Sequence, residues 1–304
     1  MNDPTIISLT AIPSRFPDLG PTLRSLLTQD LPLAEVRLNI PQYYRRFPEW
    51  DGQLPEVPEG VRIVRCAEDY GPASKVLPTV LDYRGQAVDI LFCDDDKIYD
   101  SGWHRRFKTE RKGHPGAAIV EVGENFPDIS DNSRAVGRLP RACRRHRDWR
   151  YRLYRALTLT LVKPHPFTTS GYVDMLSGYA GVMVRPEFFD DETYDIPAIL
   201  WTVDDPWLSG HLERMEVPIW LNHRGRIPSG GNATSLDALE DLVEGGHGRT
   251  EADLAAIRYM RETYGIWVPQ GQPIPPQGWM RPSMRALAWA AIRSGGGKLH
   301  ENKD

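Results

Sequence analysis

The sequence predicts an α/β protein built on a doubly wound, mostly parallel sheet with a helical C-terminal extension. Two observations carry this. Five short apolar segments rich in β-branched residues (5–9, 36–40, 61–64, 88–93 and 117–122) recur within the first 122 residues, with helical spacing between several of them. The fourth, interrupted only by Asp89, is continuous rather than alternating, which suits a strand buried on both faces of a parallel sheet. It ends abruptly in Asp94, Asp95 and Asp96. At the carboxyl end of such a strand, where open α/β sheets bind ligands, three adjacent carboxylates repel one another, and a divalent cation with oxygen ligands relieves that repulsion. A solvated acidic turn is the plainer alternative, but a surface turn has no reason to follow a buried strand directly.

Length and composition bound the rest. With 304 residues and 40% hydrophobic side chains the chain can bury the core of one large domain. The 37 Lys and Arg against 41 Asp and Glu leave a net charge of −4, so the chain as a whole is no polyelectrolyte binder and no nucleic-acid partner is expected. Cys66, Cys93 and Cys143 match no zinc spacing and are too few for a disulfide framework, which points to reduced thiols in a cytoplasmic protein. No basic leader precedes a long apolar stretch, and no run of eighteen apolar residues occurs, so neither export nor membrane spanning is expected.

In chain order, the first strand runs into the loop Thr10-Ala11-Ile12-Pro13-Ser14-Arg15. Pro21 suits a first helical turn, and Leu23, Leu26, Leu27 and Leu31 follow at helical spacing. Val36, Leu38 and Ile40 alternate with polar residues and Pro41 stops the ladder; 42–60 reads as a loop and 61–64 as a third strand. Gly71 and Pro72 then start a helix with Ser74 and Lys75 in its first turn, where free N–H groups favour an anion. Lys75 has two readings, a phosphate ligand or a solvated side chain, and Asp69 likewise accepts from a nucleobase or from backbone. A helix is expected over 101–112.

From 133 to 163 the chain carries ten basic residues, including Arg134, Arg138, Arg141, Arg144, Arg145 and Arg147, against the single acid Asp148, with Trp149, Tyr151 and Tyr154 interleaved. Such a single-sign field awaits an anionic acceptor or lipid surface, unless the protein's own acids absorb it. Residues 177–189 return to strand character, where Gly178 and Gly181 either mark plain bulges or let backbone approach a ligand or another element closely. Asp204 and Asp205 stand at a helix start, with Pro206 suited to the first helical position and Asp205 to the N-cap. A strand over 217–221 ends at His223. Glycine-rich segments at 227–234 and 244–249 frame a short helix near 236–243, and a longer helix covers 251–264. Four prolines within 268–276 precede a last helix over 282–293, whose apolar side covers the core or lies on a membrane interface.

Four features in this order, the 10–15 loop after the first strand, Asp94-Asp95-Asp96, the 178–181 segment and Asp204-Asp205, make the chain resemble the GT-A glycosyltransferases, most closely the bacterial enzymes related to glycosyltransferase family 2. The resemblance implies a GT-A fold with a catalytic domain over 1–248 and a helical extension over 249–304. Within that domain, 1–122 would bind the nucleotide-sugar, and 123–248, with its Arg-rich insertion at 133–163, would bind the acceptor. It further implies a nucleotide-sugar donor, a divalent metal (manganese or magnesium), and a glycan or lipid-linked acceptor, with peripheral membrane contact through the basic insertion. Thr10, Ala11, Pro13, Arg15, Asp69, Lys75, Asp94 and Asp95 would then hold the donor. Asp94, Asp96 and His223 would hold the metal, with His247 in reserve, and Asp205 beside Asp204 would supply the base of an inverting transfer. Three other classes compete, of which a hydrolase with an aspartyl nucleophile is disfavoured because no threonine directly follows Asp96 in the expected short motif. A metal-dependent nucleotidyltransferase would normally show a glycine-rich basic loop after the first strand, and 9–15 contains no glycine; a non-catalytic protein would bind polyanions through its arginines.

Overall fold

The computed structural model describes residues 3–145, 153, 156–157, 165–231, 248–276 and 280–296. Its centre is an eight-stranded sheet of β1 (Thr5–Thr10), β2 (Glu35–Pro41), β3 (Val61–Cys66), β4 (Asp89–Phe92), β5 (Ala118–Val120), β6 (Gly171–Val173), β7 (Val182–Val184) and β8 (Ile219–Leu221), in the order β6-β8-β5-β7-β4-β1-β2-β3. Strands β3, β2, β1 and β4 are parallel, with Ile7 opposite both Val36 and Leu91. β7 inserts antiparallel between β4 and β5, β8 pairs parallel with β5, and β6 closes the edge antiparallel to β8. The sheet is thus mixed and mostly parallel, and both of its faces are covered.

Strand alternation divides the core. Ile6, Ile90, Phe92, Val120, Val182 and Leu221 point to one face, where they meet α2 (Leu77–Asp82), α4 (Asp204–Arg214), α5 (Arg249–Tyr264) and Met284 of α6 (Pro282–Gly296). Ile7, Leu9, Leu91, Cys93, Ile119 and Met183 point to the other, against α1 (Leu19–Leu27) and α3 (Trp103–Gly113). In α1, Leu19, Leu23 and Leu26 are fully buried at the i, i+4, i+7 spacing, each contributing about 1.5–3 kcal/mol of burial. Gly181, just before β7, packs against α3: its backbone has φ +99°, and an added Cβ would lie 2.4 Å from the buried Trp103 ring, so only glycine fits.

Several expected boundaries move. Pro41 closes β2 inside the ladder, and Leu31 lies beyond the end of α1. The 71–75 segment is a 3-10 turn and α2 begins only at Leu77, so Lys75 is not in an α-helical first turn. Asp205 is not an N-cap: α4 starts at Asp204 after Val203, and no side-chain cap forms. The helix expected near 236–243 and the reserve ligand His247 lie outside the described residues. α6 covers the core with Met284 and Ala288 fully buried, while Trp289 is half exposed. Among the described residues no helix is long and apolar enough to cross a membrane.

Candidate active site

A cavity of about 730 Å³ opens at the carboxyl ends of β1 and β4. It gathers Thr10, Ala11, Arg15, Asp69, Lys75, Asp94, Asp95, Asp96, Asp204 and Asp205. Pro13 is not among its walls; it opens the 3-10 turn Pro13–Asp18 that turns Arg15 toward the acidic run. His223 is also elsewhere. It follows β8, three strands and roughly 14 Å across the sheet from β4, where its Nδ1 pairs with Ser170 Oγ at 2.8 Å. His223 is thus not brought together with Asp94 and Asp96: strand order, invisible in the sequence, sets it apart from them.

The carboxylates are compensated by the protein's own cations. Lys75, with a side chain 6% exposed, places Nζ 2.6 Å from Asp94 Oδ1 and 2.8 Å from Asp204 Oδ2, bridging the end of β4 and the start of α4. Burial disfavours its charge, but Asp204, Asp94 and Asp205 outweigh burial and raise its pKa above the usual lysine value. Arg15 donates to Asp95 Oδ1 at 2.7 Å, and Lys97 lies 2.9 Å from Asp96 Oδ1. Burial, only partly offset by Arg15, pushes the Asp95 carboxyl up to about 6, with the charges of Asp96 and Asp94 adding to the rise. Asp205 accepts Gly178 N–H at Oδ1 (2.8 Å) and Arg281 Nη2 at Oδ2 (2.7 Å). Burial would raise this carboxyl, yet Arg281, then Lys75 and Arg249, hold it below the ordinary range. Burial pushes its neighbour Asp204 the other way, with Lys75 only partly compensating and Asp205 and Asp94 adding repulsion.

A buried polar network fixes Lys75. Ser8 Oγ on β1 donates to the Lys75 carbonyl (2.7 Å), and Asn39 Nδ2 on β2 reaches the Ser74 carbonyl (3.0 Å), both from fully buried positions. Polar residues inside otherwise apolar strands were the readable signal for this support. Asp69 accepts Arg45 N–H (2.8 Å) and Gly71 N–H (2.9 Å), so its hydrogen bonds are to backbone, and Trp201 Nε1 donates to its carbonyl (2.9 Å).

The sequence reading missed the contribution of the C-terminal segment. Arg249, Thr250 and Asp253 of α5, with Arg281 and Pro282, complete the cavity wall. No local pattern marks them; they arrive by the packing of α5 and α6 on the core. Four arginines of the insertion's described part pair with the protein's own acids, Arg134 and Arg141 with Asp174, Arg138 with Glu213 (2.9 Å) and Arg144 with Glu124 (3.0 Å), while Arg145 donates to the His165 carbonyl (2.9 Å). Arg147 lies outside the described residues.

The wall holds seven carboxylates and six cationic side chains, a balance close to neutral. Among the described residues no group of three or more His, Cys, Asp or Glu could by itself hold a metal ion. A hard divalent ion commonly takes one or two carboxylates and completes its shell with substrate phosphates and water. Asp94, 31% exposed, and Asp96 fit that donor set.

No family model and no curated protein matches the chain. Solved structures that resemble it include Staphylococcus aureus TarS 1–349 in complex with UDP-GlcNAc, at 13% identity and a TM-score of 0.43, covering 99% of this chain and 76% of that one. The TarS 1–349 structure without a named ligand gives 13% and 0.39, covering 88% and 75%. The complex with UDP gives 13% and 0.38, covering 74% of this chain, which spans 59% of that one.

Proposed function

We propose that this protein is a glycosyltransferase that moves a sugar from a nucleoside-diphosphate sugar to a hydroxyl of a glycan or lipid-linked acceptor. The observation that carries this reading is the meeting, across Lys75 and inside one cavity at the sheet's carboxyl edge, of an acidic run after β4 and a second carboxylate pair at the start of α4. Two carboxylate sets on different elements suit group transfer with a charged leaving group: one faces the diphosphate, the other takes the proton of the attacking hydroxyl.

Asp94 and Asp96 would hold a manganese or magnesium ion together with the diphosphate, and the ion when bound would neutralise charge developing on the leaving phosphate. The nearly neutral wall favours a donor that arrives with its charge already balanced by such an ion. Arg15, held against Asp95, and Lys75 keep the acidic run compact and lower its repulsion toward the phosphates. Asp205, held by Gly178 N–H and Arg281, accepts the acceptor's proton as the hydroxyl attacks the anomeric carbon on the face opposite the diphosphate, which inverts the anomeric configuration. Asp204 stays bound to Lys75 and keeps the ammonium between the two carboxylate sets.

The test is Asp205→Asn. This variant should fold, bind nucleoside diphosphate as the wild type does, and transfer sugar on the order of a hundredfold more slowly. Retained anomeric configuration in the product, or wild-type transfer by the variant, would sink the assignment of the base.

A further inference from the structure

We infer that Arg281, delivered by the segment entering α6, is a positioning residue for Asp205; the inference rests on the glycosyltransferase reading above. Three observations support it. Arg281 comes from 76 positions further along the chain, yet its Nη2 lies 2.7 Å from Asp205 Oδ2 and 3.2 Å from Ser177 Oγ, while Nη1 lies 3.5 Å from Asp253 Oδ2. One planar guanidinium thus ties the start of α4, the Ser177–Gly178 loop and α5 to a single point, a task suited to its rigid fork of donors. Its own position is fixed from behind, because the fully buried Ser283 donates to Asp253 Oδ2 at 3.0 Å and Met284 is fully buried in the core.

Asp205 receives this contact while its other oxygen accepts Gly178 N–H at 2.8 Å. A carboxylate held at both oxygens cannot rotate about its last bond, and each oxygen retains a lone pair for a further partner. Asp205 still lines the cavity in this arrangement. Without Arg281, the cations left to act on Asp205 are Lys75, already committed to Asp94 and Asp204, and Arg249, whose influence on it is weaker than that of Lys75, so Asp205 would lose its fixed orientation. Arg281 acts on the acceptor's proton through Asp205 and leaves the donor end of the cavity, built by Arg15 and Asp94 to Asp96, untouched.

The experiment compares Arg281→Lys, Arg281→Ala and Asp205→Asn in the full chain. The donor is the member of a panel of UDP-, GDP- and dTDP-sugars from which the wild type releases nucleoside diphosphate in the presence of manganese. Lysine keeps the charge but has one nitrogen, which cannot serve Asp205 and Ser177 in the same geometry. Arg281→Lys should lower kcat at least tenfold with the KM for the donor within threefold of wild type. Arg281→Ala should lower kcat about a hundredfold and regain at least tenfold on adding guanidinium ion. Wild-type kcat in Arg281→Lys, a KM that rises in step with the loss of kcat, or absence of guanidinium rescue in a folded Arg281→Ala overturns the inference. If Arg281→Ala does not fold, the split between kcat and KM in Arg281→Lys decides alone. Loss of turnover in Asp205→Asn with wild-type kcat in Arg281→Lys removes this inference and leaves the base in place; wild-type turnover in Asp205→Asn removes the underlying reading.

Discussion

Replacing Lys75 by Met tests how the cavity tolerates its carboxylates. Methionine fills a similar volume but removes the ammonium that lies 2.6 Å from Asp94 and 2.8 Å from Asp204. Asp204 is only 4% exposed and loses its cationic partner outright, whereas Asp94, 31% exposed, is partly rehydrated. Removing one partner of a buried pair costs about 3–5 kcal/mol, and Asp204 is expected to dominate that loss. For a chain of 304 residues this corresponds to a fall in melting temperature of about 5–8 °C. The assay is thermal denaturation monitored by circular dichroism, with and without manganese. A divalent ion can take over part of the lysine's neutralising role, so manganese should raise the variant's melting temperature more than that of the wild type. A variant that melts with the wild type, or gains nothing extra from the ion, refutes the placement of Lys75 as the bridge between the two carboxylate sets.

Two further predictions concern glycines and histidines. In Gly178→Ala the new Cβ would lie 2.6 Å from Lys75 Nζ and 3.3 Å from Asp205 Oδ1, so both the melting temperature and sugar transfer should fall; Gly181→Ala, strained at φ +99° and against Trp103, should cost stability by about 1–3 kcal/mol or more. Equal turnover per folded molecule in wild type and Gly178→Ala would contradict the role given to that backbone. His104 and His211 are fully buried, and burial lowers each to about 4, helped by Lys108 and Arg214 respectively. Since the unfolded chain takes up these protons near pH 6.5, each histidine's contribution is lost as pH falls from 6.5 toward 4, by up to about 3 kcal/mol. A His104→Gln, His211→Gln double variant should therefore show a flatter decline in melting temperature over that range, and an unchanged slope would refute the assignment.

The layered sheet was legible because buried parallel strands leave continuous apolar runs, and residues 88–93 signalled both the strand and the carboxylates at its end. Asp204 and Asp205 were legible as a pair at a helix start, but their partners were not. Local rules favoured capping for Asp205, whereas Gly178 and Arg281, distant in sequence, supply its hydrogen bonds. His223 sits at a strand end as expected, yet β8 joins the sheet beyond β5 and β7, and no periodicity in the sequence reports that order. Arg134, Arg138, Arg141 and Arg144 looked available to a partner because their acids, Asp174, Glu213 and Glu124, approach only in the folded chain. Ser8 and Asn39 were visible as polar interruptions, and their meaning appeared once β1 and β2 lay beneath Lys75.

The most direct test of the central claim is thermal denaturation of the wild type and Asp96→Ala with UDP, GDP, ADP, CDP and dTDP, each with and without manganese. A ligand at a hundred times its dissociation constant adds about 2.7 kcal/mol, or a shift of about 4 °C for a chain of this size. At least one nucleoside diphosphate should give this shift in wild type with manganese present, and Asp96→Ala should lose most of it. No shift with any of the five, or the same shift in Asp96→Ala, would contradict the claim that the acidic run after β4 binds an ion-paired nucleoside diphosphate.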